Sequence, residues 1–190
     1  MSKENLQESD FEVHGFKEEV EYASFWIRVA ATLIDTIVFI PLIALSFANL
    51  FYVKSLILLY VMMVLQSLYK PLMEFKYGAT LGKMAVKIKV VNEEHNPITL
   101  DQSFGRYVPW VISTVLSLIT STAMYMSADF NSLTSYMQLA EFSENLPLNT
   151  VSQVYNVIFF IIIIWMTIDK RNQGVHDKIA KTMVIKTKKD

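Results

Sequence analysis

Residues 25–48 read FWIRVAATLIDTIVFIPLIALSFA, an apolar run that carries two full charges, Arg28 and Asp35. A stretch of about 18 or more apolar residues is long enough to cross a bilayer as a helix. An ionised group inside such a helix costs a few kcal/mol on insertion scales, so it needs a partner or a purpose. Arg28 and Asp35 are seven residues apart, which places them on one helical face, roughly 10 Å apart along the axis. Ser24, Ala31 and Thr32 share that face, the small and polar type used where membrane helices meet. Pro41 removes one helical hydrogen bond and predicts a kink.

The rest of the chain has the same character. Hydrophobic residues make up 53% of the 190, above the roughly 45–50% of an ordinary soluble domain. Further apolar runs predict a second span at about 51–69, a third at about 107–126 and a fourth at about 151–168. Asn49 is the expected turn between the first two, and Lys54 an interfacial anchor. The third run is interrupted by Pro109 near its start and is rich in hydroxyls from Ser113 to Thr122. Such a stripe joins helices or lines a solute path.

Residues 1–21 are acidic and polar, and read as a disordered cytoplasmic tail with no cleaved leader. Residues 22–187 form the membrane domain, and 188–190 a short tail. Between the second and third runs, Thr80 caps a short helix, Val86 to Val91 alternate as a strand, and Ile98 to Leu100 return as a second. Asp101 or Ser103 then caps the next helix. The 180–187 segment is another strand candidate, expected to join that hairpin in a small sheet.

Lysine and arginine set the orientation. None occurs from Tyr107 to Asp169, whereas the segments before and after that interval are basic. The positive-inside rule then puts both basic segments and both termini in the cytoplasm, and the 128–150 loop outside. The expected fold is an α-helical membrane protein of four transmembrane helices with a small cytoplasmic β-hairpin or sheet.

Net charge is −1, which leaves no basic footprint for nucleic acid. There is no cysteine, and His14, His95 and His176 are dispersed, so no metal cluster and no cofactor are expected. GATLGK at 78–83 looks like the start of a phosphate loop but lacks its spacing, and no catalytic motif occurs, so the chain reads as no enzyme. The candidate site is Asp35, as a proton or small-cation exchanging carboxylate; the structural alternative is a fold-fixing bond to Arg106 or Gln66. Arg28 is expected at the headgroup level, free to reach lipid phosphate.

Three stretches together resemble the RDD family of small bacterial membrane proteins, named for one Arg and two Asp. FWIRVAATLIDTIV carries Arg28 and Asp35; GATLGKMAVKIKVVNEEHNPIT with FGRYVPW carries Gly78, Thr80, Gly82, Lys83 and Arg106; DKRNQGVHDKIAKTMVI carries His176, Asp177 and Thr182. Asp177 is taken as the second family Asp. The resemblance implies a multi-pass protein of the plasma (inner) membrane. For some members it implies cation/proton antiport, and for others an accessory or regulatory role without transport. Four helices are few for a path, so a transporter of this type is expected to be a homo-oligomer.

Overall fold

The computed structural model of the chain describes residues 20–165, 167, 169 and 171–187. Residues 1–19 and 188–190, and the expectation of a disordered tail, lie outside the described residues.

The opening stretch is two helices, α1 (Phe25–Val38) and α2 (Ile40–Ala48). Pro41 sits in the first turn of α2, where its missing N–H costs no helical bond. The break falls at Phe39, and the two segments bend by 53°. Asn49 does not make the turn. The helix runs through it into a π-helical turn, Asn49–Val53, and the chain reverses at Lys54, with φ 51°. Asn49 locks that reversal from inside: its amide donates to Ser55 O at 3.0 Å and to Tyr125 Oη at 3.1 Å. Lys54 is no free anchor, because its Nζ donates to the carbonyls of Phe130, Asn131 and Leu133 within 3.0 Å.

Ser55 caps α3 (Leu56–Tyr77), which ends at Gly78 in the left-handed region, φ 69°. This helix outruns its expected end at Tyr69. Lys70 and Glu74 end the apolar run but not the helix, since charge limits what lipid tolerates rather than what a helix tolerates. Thr80 caps α4 (Leu81–Ala85) as expected, accepting from Lys83 N. α4 lies against α1, and Gly82 is what permits it: a Cβ there would stand 1.9 Å from Ala31 O.

β1 spans Ile88–Asn92. The expected return strand at 98–100 does not form. Thr99 instead builds a capping box with Gln102 and starts α5 (Leu100–Met126), so neither Asp101 nor Ser103 is the cap. α5 continues unbroken through Pro109. The 128–150 loop folds into a 3-10 turn (Ala128–Ser132) and α6 (Tyr136–Glu144). α7 (Asn149–Trp165), α8 (Val175–Ile179) and β2 (Thr182–Lys186) follow.

β1 takes its partner from the far end of the chain. It pairs antiparallel with β2, Val90 opposite Val184 and Ile88 opposite Lys186. The expected hairpin is absent, while the expected joining of the 180–187 segment to this region is present, as a long-range two-stranded sheet. Two strands alone are marginal in water; here both faces are covered. Ile88, Val90 and Val184 pack with Ala23, Ala31 and Ile98, while Val91, Met183 and Ile185 pack with Val20 and Tyr22.

α3 packs along α5, and α5 along α7. α3 and α5 are each long and apolar enough to cross a membrane, and the bent pairs α1–α2 and α6–α7 bring the number of candidate spans to four if each pair is one span. Large apolar side chains such as Leu33, Leu65, Val111 and Phe160 are exposed, whereas Arg28, Asp35, Glu74 and Arg106 are buried. That inside-out distribution is what a lipid exterior favours.

Candidate functional site

Asp35 is clasped rather than free. Its Oδ1 accepts from Tyr69 Oη at 2.9 Å and from Gly82 N at 2.7 Å, and its Oδ2 accepts from Thr80 Oγ1 at 2.7 Å. Tyr69 in turn accepts from Leu81 N at 3.1 Å. The carboxylate therefore ties α1 to α3 and to the start of α4. Neither Arg106 nor Gln66, the partners expected from sequence, bonds to it among the described residues. Two of the three donors come from the 78–82 segment, which reaches α1 because Gly82 lets the two backbones touch, and the third from Tyr69 of α3.

Arg28 is also placed differently from its expectation. It is 9% exposed, not a headgroup-level side chain. Its Nη1 donates to Asp177 Oδ2 at 2.7 Å and its Nε to Ala23 O at 3.3 Å. Arg28 and Asp35 share a helix face but take separate partners. Asp177 is completely buried, and joins Arg28 to Arg106, whose Nη1 donates to Asp177 Oδ1. Arg106 also donates to Thr182 Oγ1 at 2.5 Å and, through Nε, to Glu74 Oε2 at 2.9 Å. Lys83 of α4 closes the other side of Glu74. Gly174 N donates to Asp177 Oδ2 at 3.0 Å, fixing the start of α8.

The result is a joint of two buried arginines, the half-buried Lys83 and two buried carboxylates, drawn from α1, α3, α4, α5 and α8. Burial alone would raise the Asp177 carboxyl, but Arg106 and Arg28, among others, outweigh it and hold it well below the usual carboxylate range. His176 Nε2 lies 3.4 Å from Asp177 Oδ1, with its ring edge-on to Trp110. Burial, aided by the nearby cations, pushes its imidazole down to about 4, so it is neutral near pH 7 despite that carboxylate.

Glu74 and Tyr69 were not singled out by the sequence. Glu74 carries a signal in retrospect: it is the only acid between Phe51 and Tyr77. Tyr69 carries none, since an aromatic at the end of an apolar run reads as an interfacial residue.

Cavities adjoin the joint. One of about 120 Å³ is lined by Arg28, Lys70, Glu74, Arg106, Trp110 and His176, with Asp35 at its wall. A second, about 250 Å³, shares Asp35, Lys70 and Trp110 with it and reaches Gln66. A third, about 340 Å³, shares Gln66 and runs between α3 and α5 past Ser113, Ser117 and Ser121. A fourth, about 180 Å³, shares those serines and ends at Asn149, Ser152 and Asn156 of α7. Gln66 and the hydroxyls of α5 thus face a row of neighbouring spaces. No group of three or more metal-ligating side chains occurs among the described residues.

No curated protein and no solved structure matches the chain. The model of the RDD family matches residues 22–181, a range that holds Arg28, Asp35, Arg106 and Asp177. The chain therefore belongs to the RDD family of small multi-pass membrane proteins.

Proposed function

We propose that the protein passes a small hydrophilic solute or ion across the cytoplasmic membrane along the polar row between α3, α5 and α7, with four spans and the sheet on the cytoplasmic side. The row itself carries this reading. Its hydroxyls and amides line neighbouring half-open spaces along α3, α5 and α7, and polar groups at such depth in a membrane protein mark pathways. The absence of lysine and arginine from Tyr107 to Asp169 supports the orientation. So few helices suit a path completed in a homo-oligomer. Exchange of a cation for a proton at Asp35 is the narrower form; it requires the carboxylate to release its Tyr69 and Thr80 donors during the cycle.

The test is flux in proteoliposomes across a panel of monovalent cations, protons and small anions. Ser117→Phe is expected to abolish flux by filling the row. Loss in Asp35→Asn as well, with folding intact, favours the exchange form. No flux above empty liposomes for any solute sinks the reading. The second reading is an accessory or regulatory protein without transport. What favours it is that Asp35, Glu74 and Asp177 are each held by at least two donors, as in a static joint. It expects a protein partner recovered by crosslinking and lost when residues 83–100 are altered.

A further inference from the structure

The joint leaves one strong donor unused. Arg28 Nη2 is buried and has no hydrogen-bond partner among the described residues, although Nη1 and Nε of the same guanidinium are bonded. A buried N–H of a charged group without an acceptor is costly, and native proteins rarely leave one so. Arg28 lines the cavity of about 120 Å³, and so does Lys70. No carboxylate lies within ion-pair distance of Lys70 among the described residues; its Nζ sits 5.5 Å from the centre of the Trp110 ring. Lys83 and Arg106 line the same space.

The charges there do not balance. Arg28, Lys70, Lys83 and Arg106 face Asp35 and Glu74 on the cavity wall, with Asp177 behind them. Each of the three carboxylates already accepts at least two donors, and four cations face three anions, so the excess charge is positive. A guanidinium offers planar paired N–H groups to an oxyanion, and a nearby ammonium adds a mobile point charge. The space exceeds that of a single water, whose share of liquid volume is about 30 Å³.

We infer that this cavity binds a phosphate-type oxyanion, held between the guanidinium of Arg28 and the amine of Lys70, with Trp110 as its apolar wall. Two sources share that chemistry, a free phosphate and the headgroup of an anionic phospholipid at the inner leaflet. The site goes beyond the transport reading, because binding needs no flux and is measured without it.

The test uses Trp110 as a reporter, in full-length protein with Trp26→Phe and Trp165→Phe. One arm titrates the detergent-purified protein with inorganic phosphate at constant ionic strength, with chloride as control. The other compares nanodiscs of phosphatidylcholine with and without phosphatidylglycerol. A saturable fluorescence change with phosphate identifies the free anion, and one only with phosphatidylglycerol identifies the headgroup. In either case Lys70→Gln should weaken the response about tenfold or more, the loss of one charge-assisted bond. Lys70→Arg should restore it, and neither should shift the melting temperature. No saturable change in both arms, an equal response to chloride, or an undiminished response in Lys70→Gln overturns the site.

Discussion

Asp177 is the residue on which the joint turns. It is fully buried, answers two arginines from different helices and fixes the start of its own helix. Removing one member of a buried ion pair costs about 3–5 kcal/mol, because the remaining charge is left uncompensated. Asp177→Asn should therefore lower the melting temperature in detergent more than Asp35→Asn, since Asp35 is held by neutral donors and an amide keeps part of that geometry. Equal shifts in the two variants would count against this ranking. His176 adds a pH dependence of definite sign. Its folded pKa of about 4 lies below the usual 6.5, so its contribution is full above about pH 6.5 and is lost as pH falls toward 4. The loss is on the order of 3 kcal/mol over that window. A melting-temperature profile against pH should fall there in the wild type, and should flatten in His176→Gln. Reading the sequence picked out Asp35 and Arg28 by the cost of charge in an apolar run. It paired them with the wrong groups, because partners arriving from the 78–82 turn and from α8 leave no trace in helical spacing.

Among the elements, α4 depends most on a single position. The Cβ of Gly82→Ala would collide with the Ala31 carbonyl and approach the Asp35 carboxylate at 2.9 Å. The first neighbour is backbone and the second is held by three hydrogen bonds, so α4 must move and Asp35 loses its donors. Overpacking of this kind costs about 1–3 kcal/mol, and thermal unfolding of Gly82→Ala should show a loss of at least that size. The sheet gives a sharper structural test. Lys89 lies opposite Ile185, and the chain has no native cysteine to interfere. Lys89→Cys with Ile185→Cys should form an intramolecular disulfide on mild oxidation, whereas Lys89→Cys with Thr99→Cys should not. The four apolar helical runs, the Thr80 cap and both strand segments were legible in period and capping chemistry, whereas α6 and α8 were not. The pairing of the 180–187 segment with β1 was legible too; what was not is that residues 98–100 stay out of the sheet, since they look as suitable for a strand as 182–186 and the Thr99 capping box competes for them.

For the molecule as a whole, the pattern is polar within and apolar without, and this much follows from composition and run length alone. What composition does not convey is that the two ends of the domain close on each other: Tyr22 bridges to Ile185, and Glu21 pairs with Lys186. Deleting residues 174–187 removes Asp177, Thr182 and β2 at one stroke while sparing every candidate span. The truncated protein should still insert, yet melt at a far lower temperature and be cut by protease within residues 78–99, which the full chain protects. Protection unchanged by the deletion would show that the sheet is not what holds the 78–99 segment in place.

The separation between Arg28 and Asp177 has a consequence for biosynthesis. The carboxylate is made 149 residues after the guanidinium it neutralises, which at roughly 5–20 residues per second is a delay of roughly 7 to 30 s. Arg28 waits alone until Arg106 is made, and from then on the earlier helices carry two arginines lacking their common counter-ion. Arrival of the last segment then works as a mark of completion: a stalled or prematurely ended chain keeps arginines whose counter-ion never comes, which sets it apart from a finished one.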